Sequence, residues 1–198
     1  TSYNAGAASN DTIGYSNSFG AIGISLAQTK GGTRATGDGG NGGTATTTMT
    51  DYVVTLDGSA FIDGLSGGFG NSTASSSVAG VVDDEVDIAY INYSTGPVSV
   101  GYRLTENSAG SGTEKNVEAY AIAFNVNDNM SVSVATQDIE FDKTGVAAVN
   151  VTETIDAINA SYTMGAASVR ATVSEASDDA GVAGSDDEHM EISLVLSF

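Results

Sequence analysis

Cysteine and tryptophan are absent from the 198 residues, and proline and histidine occur once each, as Pro97 and His189. Without cysteine there is no disulfide framework and no thiolate to bind a metal or attack a substrate. Basic residues are scarce: Lys30, Arg34, Arg103, Lys115, Lys143 and Arg170 stand against 25 acidic residues, for a formal net charge of -19. Nucleic-acid binding draws on clustered Lys and Arg, so it is excluded as a partner class. His189 lies in the acidic run Asp186-Asp187-Glu188-His189. It reads as an incidental histidine at a loop-to-strand junction, and no enzyme is expected. No run approaches the roughly 18–20 apolar residues of a membrane helix. That lack says nothing of barrel strands, which need about 9–11 residues with alternate ones apolar. The chain opens Thr1-Ser2-Tyr3-Asn4 with neither Met nor a basic, apolar leader, so a processed chain or a fragment is expected.

What is present is small and polar: Gly, Ser, Thr, Ala and Asn abound, with 25 glycines. Low hydrophobicity with high charge suits disorder. Against it, Tyr, Val and Ile recur at every second position. Strands are predicted at 11–16, 19–29, 47–57, 60–69, 84–94, 98–106, 115–126, 130–141, 152–164, 167–176 and 188–198. Tight links fall at Asn17-Ser18, Asp57-Gly58-Ser59, Thr95-Gly96-Pro97, Asn127-Asp128-Asn129 and Gly165-Ala166. Between them lie longer polar links at 30–46, 70–83, 107–114, 142–151 and 177–187. A soluble Greek key gives no reason for alternating short and long connections. An up-and-down membrane barrel does, with short periplasmic turns and long outer loops. The expected fold is therefore an all-β, transmembrane antiparallel up-and-down β-barrel, with residues 1–198 one domain.

The two faces of each strand differ. Val98, Val100, Tyr102 and Leu104 oppose Ser99, Gly101, Arg103 and Thr105; Val169, Ala171 and Val173 oppose Ser168, Arg170, Thr172 and Ser174. The small polar set is too slight to fill a dry core and suits a wet lumen. Asp51, Arg103, Arg170 and Glu191 are the candidate pore-lining charges, and Asp57 joins them at a strand end. Their functional reading is a field across the pore that biases ions; ordinary lumen polarity is the bland one. Tyr93, Phe124, Tyr162 and Phe198 sit near the short-turn ends, where an interfacial aromatic girdle belongs. The strand at 60–69 is the weakest, with Gly64, Gly67 and Gly68. That at 130–141 is expected to change phase near Gln137, at a bulge. Eleven strands ending at the short-turn rim put the first one's start at the long-loop rim. Bacterial barrels have an even count, so an odd number of strands is expected to be missing at the amino end.

Two segments carry a family resemblance. Asn10-Asp11-Thr12-Ile13-Gly14-Tyr15-Ser16-Asn17-Ser18-Phe19-Gly20-Ala21-Ile22-Gly23-Ile24-Ser25 resembles the strand–turn–strand after the constriction loop of general bacterial porins. Glu191 to Phe198 resembles the carboxyl-terminal signal of outer-membrane proteins, with Phe last and apolar residues at alternate positions before it. Acidic, Cys-free character makes the alphaproteobacterial type the nearest match. The resemblance implies a sixteen-stranded barrel of which strands six to sixteen are present, with Thr1 to Ser9 the tail of the constriction loop. It also implies a homotrimer in the bacterial outer membrane that passes small hydrophilic solutes and ions passively, without a cofactor. Its partners would be lipid and lipopolysaccharide, and the barrel-assembly machinery acting through the last strand. The basic cluster facing the constriction loop would lie on the early strands.

Other motifs carry less. Asp83-Asp84-Glu85-Val86-Asp87, Asp178-Asp179 and Asp186 to Glu188 suit loosely bound Ca²⁺ or Mg²⁺, or simply solvated loops; none has EF-hand spacing. Gly37 to Gly43 precedes no Lys-Ser/Thr and is no phosphate cradle. The other functional class compatible with this composition is a secreted, acidic, β-structured surface-layer or adhesin-like protein. It leaves the loop alternation and the terminal Phe unexplained.

Overall fold

The structure is a computed structural model and describes residues 12–32, 47–75, 82–108, 114–143 and 149–196. Alternating apolar and polar residues, broken by Gly, Asn and Asp, form eleven strands. They are β1 (Thr12–Phe19), β2 (Ile22–Gly32), β3 (Thr47–Asp57), β4 (Leu65–Ser75), β5 (Asp84–Thr95) and β6 (Val98–Ser108). Then follow β7 (Glu114–Asn127), β8 (Met130–Asp142), β9 (Val151–Met164), β10 (Ala167–Ser177) and β11 (Asp187–Leu196). All eleven make one antiparallel sheet in sequence order. Among the described residues the helical segments are two 3-10 turns, Gly58–Ala60 and Asp179–Gly181. The fold is all-β.

The sheet is open. Among the described residues β1 pairs only with β2, and β11 only with β10. Both edge strands run from the long-link rim to the short-turn rim, so they are parallel to each other.

The short turns follow from their residues. Gly20-Ala21, Gly96-Pro97 and Gly165-Ala166 each lead with a glycine at positive φ, of 61°, 53° and 60°. A positive φ followed by an ordinary residue is the type II′ pattern, whose twist matches the flanking strands. Asp128-Asn129 lacks positive φ. There the ladder passes from Asn125↔Ser131 to Asn127↔Met130, leaving Val126 unmatched. That bulge restores the twist an ordinary turn would lose.

Several boundaries differ from the sequence expectation. The phase change expected at Gln137 does not occur: β8 pairs regularly with both neighbours through that residue, and its irregularity lies beside Val126. The strand expected at 60–69 is instead Leu65–Ser75, and the tight link at Asp57-Gly58-Ser59 becomes a longer turn through Gly64. Asp57 caps that turn, accepting from the Ser59 N–H at 3.1 Å and the Ser59 hydroxyl at 2.5 Å. The capped 3-10 turn takes residues that strand alternation alone would have extended. The first tight link is at Gly20-Ala21 and not Asn17-Ser18, because Phe19↔Ile22 closes the ladder three residues farther on.

Directly opposed residues of an antiparallel ladder share a face, so the register sorts every side chain. One face carries Phe19, Ile22, Leu56, Val54, Ile91, Val100, Ile122, Val134, Ile158, Val169 and Leu194, from one edge to the other. The opposite face carries mostly Ser, Thr, Ala, Gly and Asn with a few charges, and apolar Val53, Ile88, Val117, Ile139 and Ile155 lie among them. The buried side chains lie mainly on this polar face toward the long-link rim, among them Met49, Ala74, Val86 and Phe141. Nothing described covers the apolar face.

Candidate functional site

The exposed large apolar residues are sorted almost completely by face. Apart from Val195 and the turn, loop and bulge residues Phe61, Ile62, Val82, Val126, Val149 and Val182, every one lies on the apolar face. Along β6 the band runs from Val98 to Leu104, along β10 from Ala167 to Val173, and along β11 from Leu196 back to Met190. Six steps of about 3.3 Å make it roughly 20 Å long on each strand. A band of that length across eleven neighbouring strands is far larger than the few hundred Å² a soluble monomer exposes.

From β5 to β11 the band stops short of the long-link rim. Toward the long-link rim the same face turns acidic, with Glu85, Asp87, Glu106, Glu118, Asp138, Asp156, Glu175 and Glu188. At the boundary Tyr102 and Tyr120 pack ring to ring, centroids 4.8 Å apart. Tyr102 donates its hydroxyl to Glu118 Oε1 at 2.5 Å, and Tyr120 donates to the same oxygen. One strand pair over, Asn71 Nδ2 donates to Glu85 at 2.7 Å and to Asp87 at 2.9 Å. Tyrosines with apolar bodies in the band and hydroxyls on carboxylates mark an apolar-to-polar transition.

Tyr93, Phe124 and Tyr162 lie on the apolar face toward the short turns, and Phe198 lies outside the described residues. The tyrosine pair at the other boundary, Tyr102 with Tyr120, went unread in the sequence because only the β6–β7 register brings the two rings together.

The candidate pore charges all fall on the polar face, but in different settings. Arg103 reaches across Ala119 and donates from Nη2 to Gln137 Oε1 at 3.0 Å. Its other neighbour Tyr90 lies over Gly68, where a Cβ would come 2.7 Å from the ring. Arg170 is exposed among hydroxyls. Glu191 is exposed, with His189 Nε2 3.8 Å from Oε2. Asp51 departs from the open-water expectation. It sits opposite Ser72, and among the described residues neither Asp51 Oδ1 nor Ser72 Oγ, both buried, has a hydrogen-bond partner. Orphaned acceptors of this kind favour an incoming donor. The Asp83–Asp87 run is split by strand alternation, with Asp84 and Val86 on the polar face and Glu85 and Asp87 on the other. Among the described residues no three His, Asp or Glu side chains come together at metal-binding spacing. The constriction-loop tail and the Gly37–Gly43 loop lie outside the described residues.

One long link is anchored to the sheet. In the β10–β11 link, Asp178 Oδ1 accepts from the Gly184 N–H at 2.5 Å, and Asp179 N–H donates to Ser185 O at 2.6 Å. Gly181, at φ 70°, is buried against Phe141, a polar-face residue that also has Lys115 Nζ 4.8 Å from its ring centroid. Lys143 Nζ donates to Gly181 O at 2.7 Å. The link is thus drawn over the rim rather than standing away from it. A Gly181→Val change puts a Cβ 2.7 Å from Phe141 Cγ at a positive φ. Limited proteolysis at 178–186 is expected to accelerate at least about tenfold in that variant, the link opening locally while the sheet remains.

Neither the comparison with protein-family models nor that with curated proteins gave a match.

Proposed function

We propose that this chain forms most of the wall of an outer-membrane porin, a water-filled pore through which small hydrophilic solutes and ions diffuse passively. The observation that carries this reading is the exposed apolar band bounded by tyrosines and carboxylates, on a sheet whose other face is polar. A hydrocarbon layer satisfies such a face, and only helices or closed barrels satisfy the backbone there. Closure with antiparallel pairing takes an odd number of further strands, because β1 and β11 are parallel. The five that a sixteen-stranded porin would add meet that requirement. A secreted surface-layer protein would leave the band in water.

In this reading the polar face lines the lumen. No cofactor is required, and no residue performs a covalent step. Homotrimer formation, contact with lipopolysaccharide and assembly through the last strand accompany the proposal. Selection is by size, with charge as a bias. Carboxylates outnumber cations throughout, so a modest cation preference is expected. It is kept small because charges beyond about 8–10 Å from the permeating ion are screened at physiological salt.

The test is reconstitution of the full-length protein into planar bilayers. Stepwise, ohmic conductance increments are expected, with a KCl-gradient reversal potential on the cation side. Absence of steps, together with release from membranes by chelator or urea without detergent, would overturn the reading. An anion-side reversal potential would overturn the charge argument alone.

A further inference from the structure

The three basic side chains on the described part of the polar face are differently engaged. Lys115 lies over the Phe141 ring and Arg103 is held by Gln137. Arg170 has no ion pair or hydrogen bond to any described side chain. Its surroundings explain why. It lies beside a shallow groove of about 120 Å³ lined by Ser131, Ser161, Asn159 and Thr172. These neighbours satisfy one another: Ser131 and Ser161 hydroxyls are 2.7 Å apart, and Thr172 donates to Asn159 Oδ1 at 2.8 Å. The guanidinium therefore keeps its full donor fork for a solute, in the planar geometry that matches a carboxylate.

Glu191 stands diagonally across from it. Arg170 pairs with Ser193 and Thr172 with Glu191, all on the polar face. Diagonal neighbours are separated by about 7–8 Å, within reach of long side chains. The two opposite charges do not form an ion pair with each other; among the described residues the charged partner of Glu191 is His189, at 3.8 Å. Glu191 would repel a simple anion drawn to Arg170, and Arg170 a simple cation drawn to Glu191. A small molecule carrying both charges satisfies both at once.

We propose that Arg170 and Glu191 form a weak station for small zwitterionic solutes, of which α-amino acids are the type. The carboxylate sits on the Arg170 fork, the ammonium on Glu191, and the hydroxyl-lined groove lies beneath. This rests on the polar face being a pore lumen. Binding is shallow and exposed, as suits passage rather than retention.

The test uses the full-length protein in planar bilayers with KCl, adding glycine, sodium acetate, methylammonium chloride or glycerol at matched concentrations. Glycine is expected to reduce single-channel conductance in a saturable way beyond the glycerol control, and at lower concentration than either single-charge analogue. Arg170→Gln and Glu191→Gln are each expected to raise the half-blocking glycine concentration roughly tenfold, as loss of a charge-assisted contact implies. Arg170→Lys keeps the charge but loses the fork, so it is expected to restore only part of the block. Channels that glycine blocks no better than acetate would overturn the zwitterion station while leaving the pore standing. Unchanged block in both glutamine variants would do the same. Failure to form channels at all would overturn the pore reading and this inference with it.

Discussion

Ala171→Arg is expected to destabilise the protein by about 2–4 kcal/mol in a bilayer, the cost of a cation near the middle of a barrel's lipid face. Ala171 lies between Ala160 on β9 and Ile192 on β11, all on the apolar face and one step inward of the Tyr162–Val169 pair. An arginine there has no carboxylate at its own level, because the acidic residues of that face begin beyond Val173 at Glu175. Ser174→Arg is the matching control. It lies on the opposite face between Ala157 and His189 and is expected to change stability by no more than about 0.5 kcal/mol, as ordinary surface substitutions do. Urea unfolding in lipid vesicles separates the two cases. Equal effects would mean that the apolar face meets water, and the membrane reading would fall.

Gly64→Ala is expected to cost at least about 3 kcal/mol, for a reason independent of any membrane. Gly64 closes the β3–β4 turn at φ 80°, and its carbonyl accepts from the Ser94 N–H at 2.9 Å. A Cβ at that position would lie 1.9 Å from the Ser94 carbonyl oxygen, a backbone atom that cannot rotate aside. The left-handed conformation adds its own penalty of about 1–2 kcal/mol. Gly96→Ala isolates that second contribution. Its φ is 53° and an added Cβ meets nothing within 4 Å, so about 1–2 kcal/mol is expected. A Gly64→Ala variant no worse than Gly96→Ala in denaturant midpoint would contradict this packing of the β3–β4 turn against the end of β5.

Much of the sheet was legible because strand periodicity is a local property. Val98 to Leu104 and Ile192 to Leu196 show their alternation in the order of residues alone, and Gly96-Pro97 and Gly165-Ala166 announce their turns. Where local signals competed, reading failed. Gly64, Gly67 and Gly68 blurred β4, and the cap on Asp57 diverted the chain before that strand began. The bulge was sought at Gln137, where composition changes, but it lies at Val126, where turn geometry demands it. Asp51 was read as open to water because its neighbour in space, Ser72, is 21 positions away in sequence.

What the sequence determined by itself was the period, the turns and the division of each strand into an apolar and a polar side, since these depend on residues within a few positions. What only the tertiary structure decided was which of those sides line up. Register across ten strand pairs aligned the apolar residues into one band, brought Tyr102 and Tyr120 onto Glu118, and set Arg170 diagonally from Glu191. It also left the sheet open between two parallel edges. These are properties of pairing between distant segments, and a period of two carries no information about its partner strand.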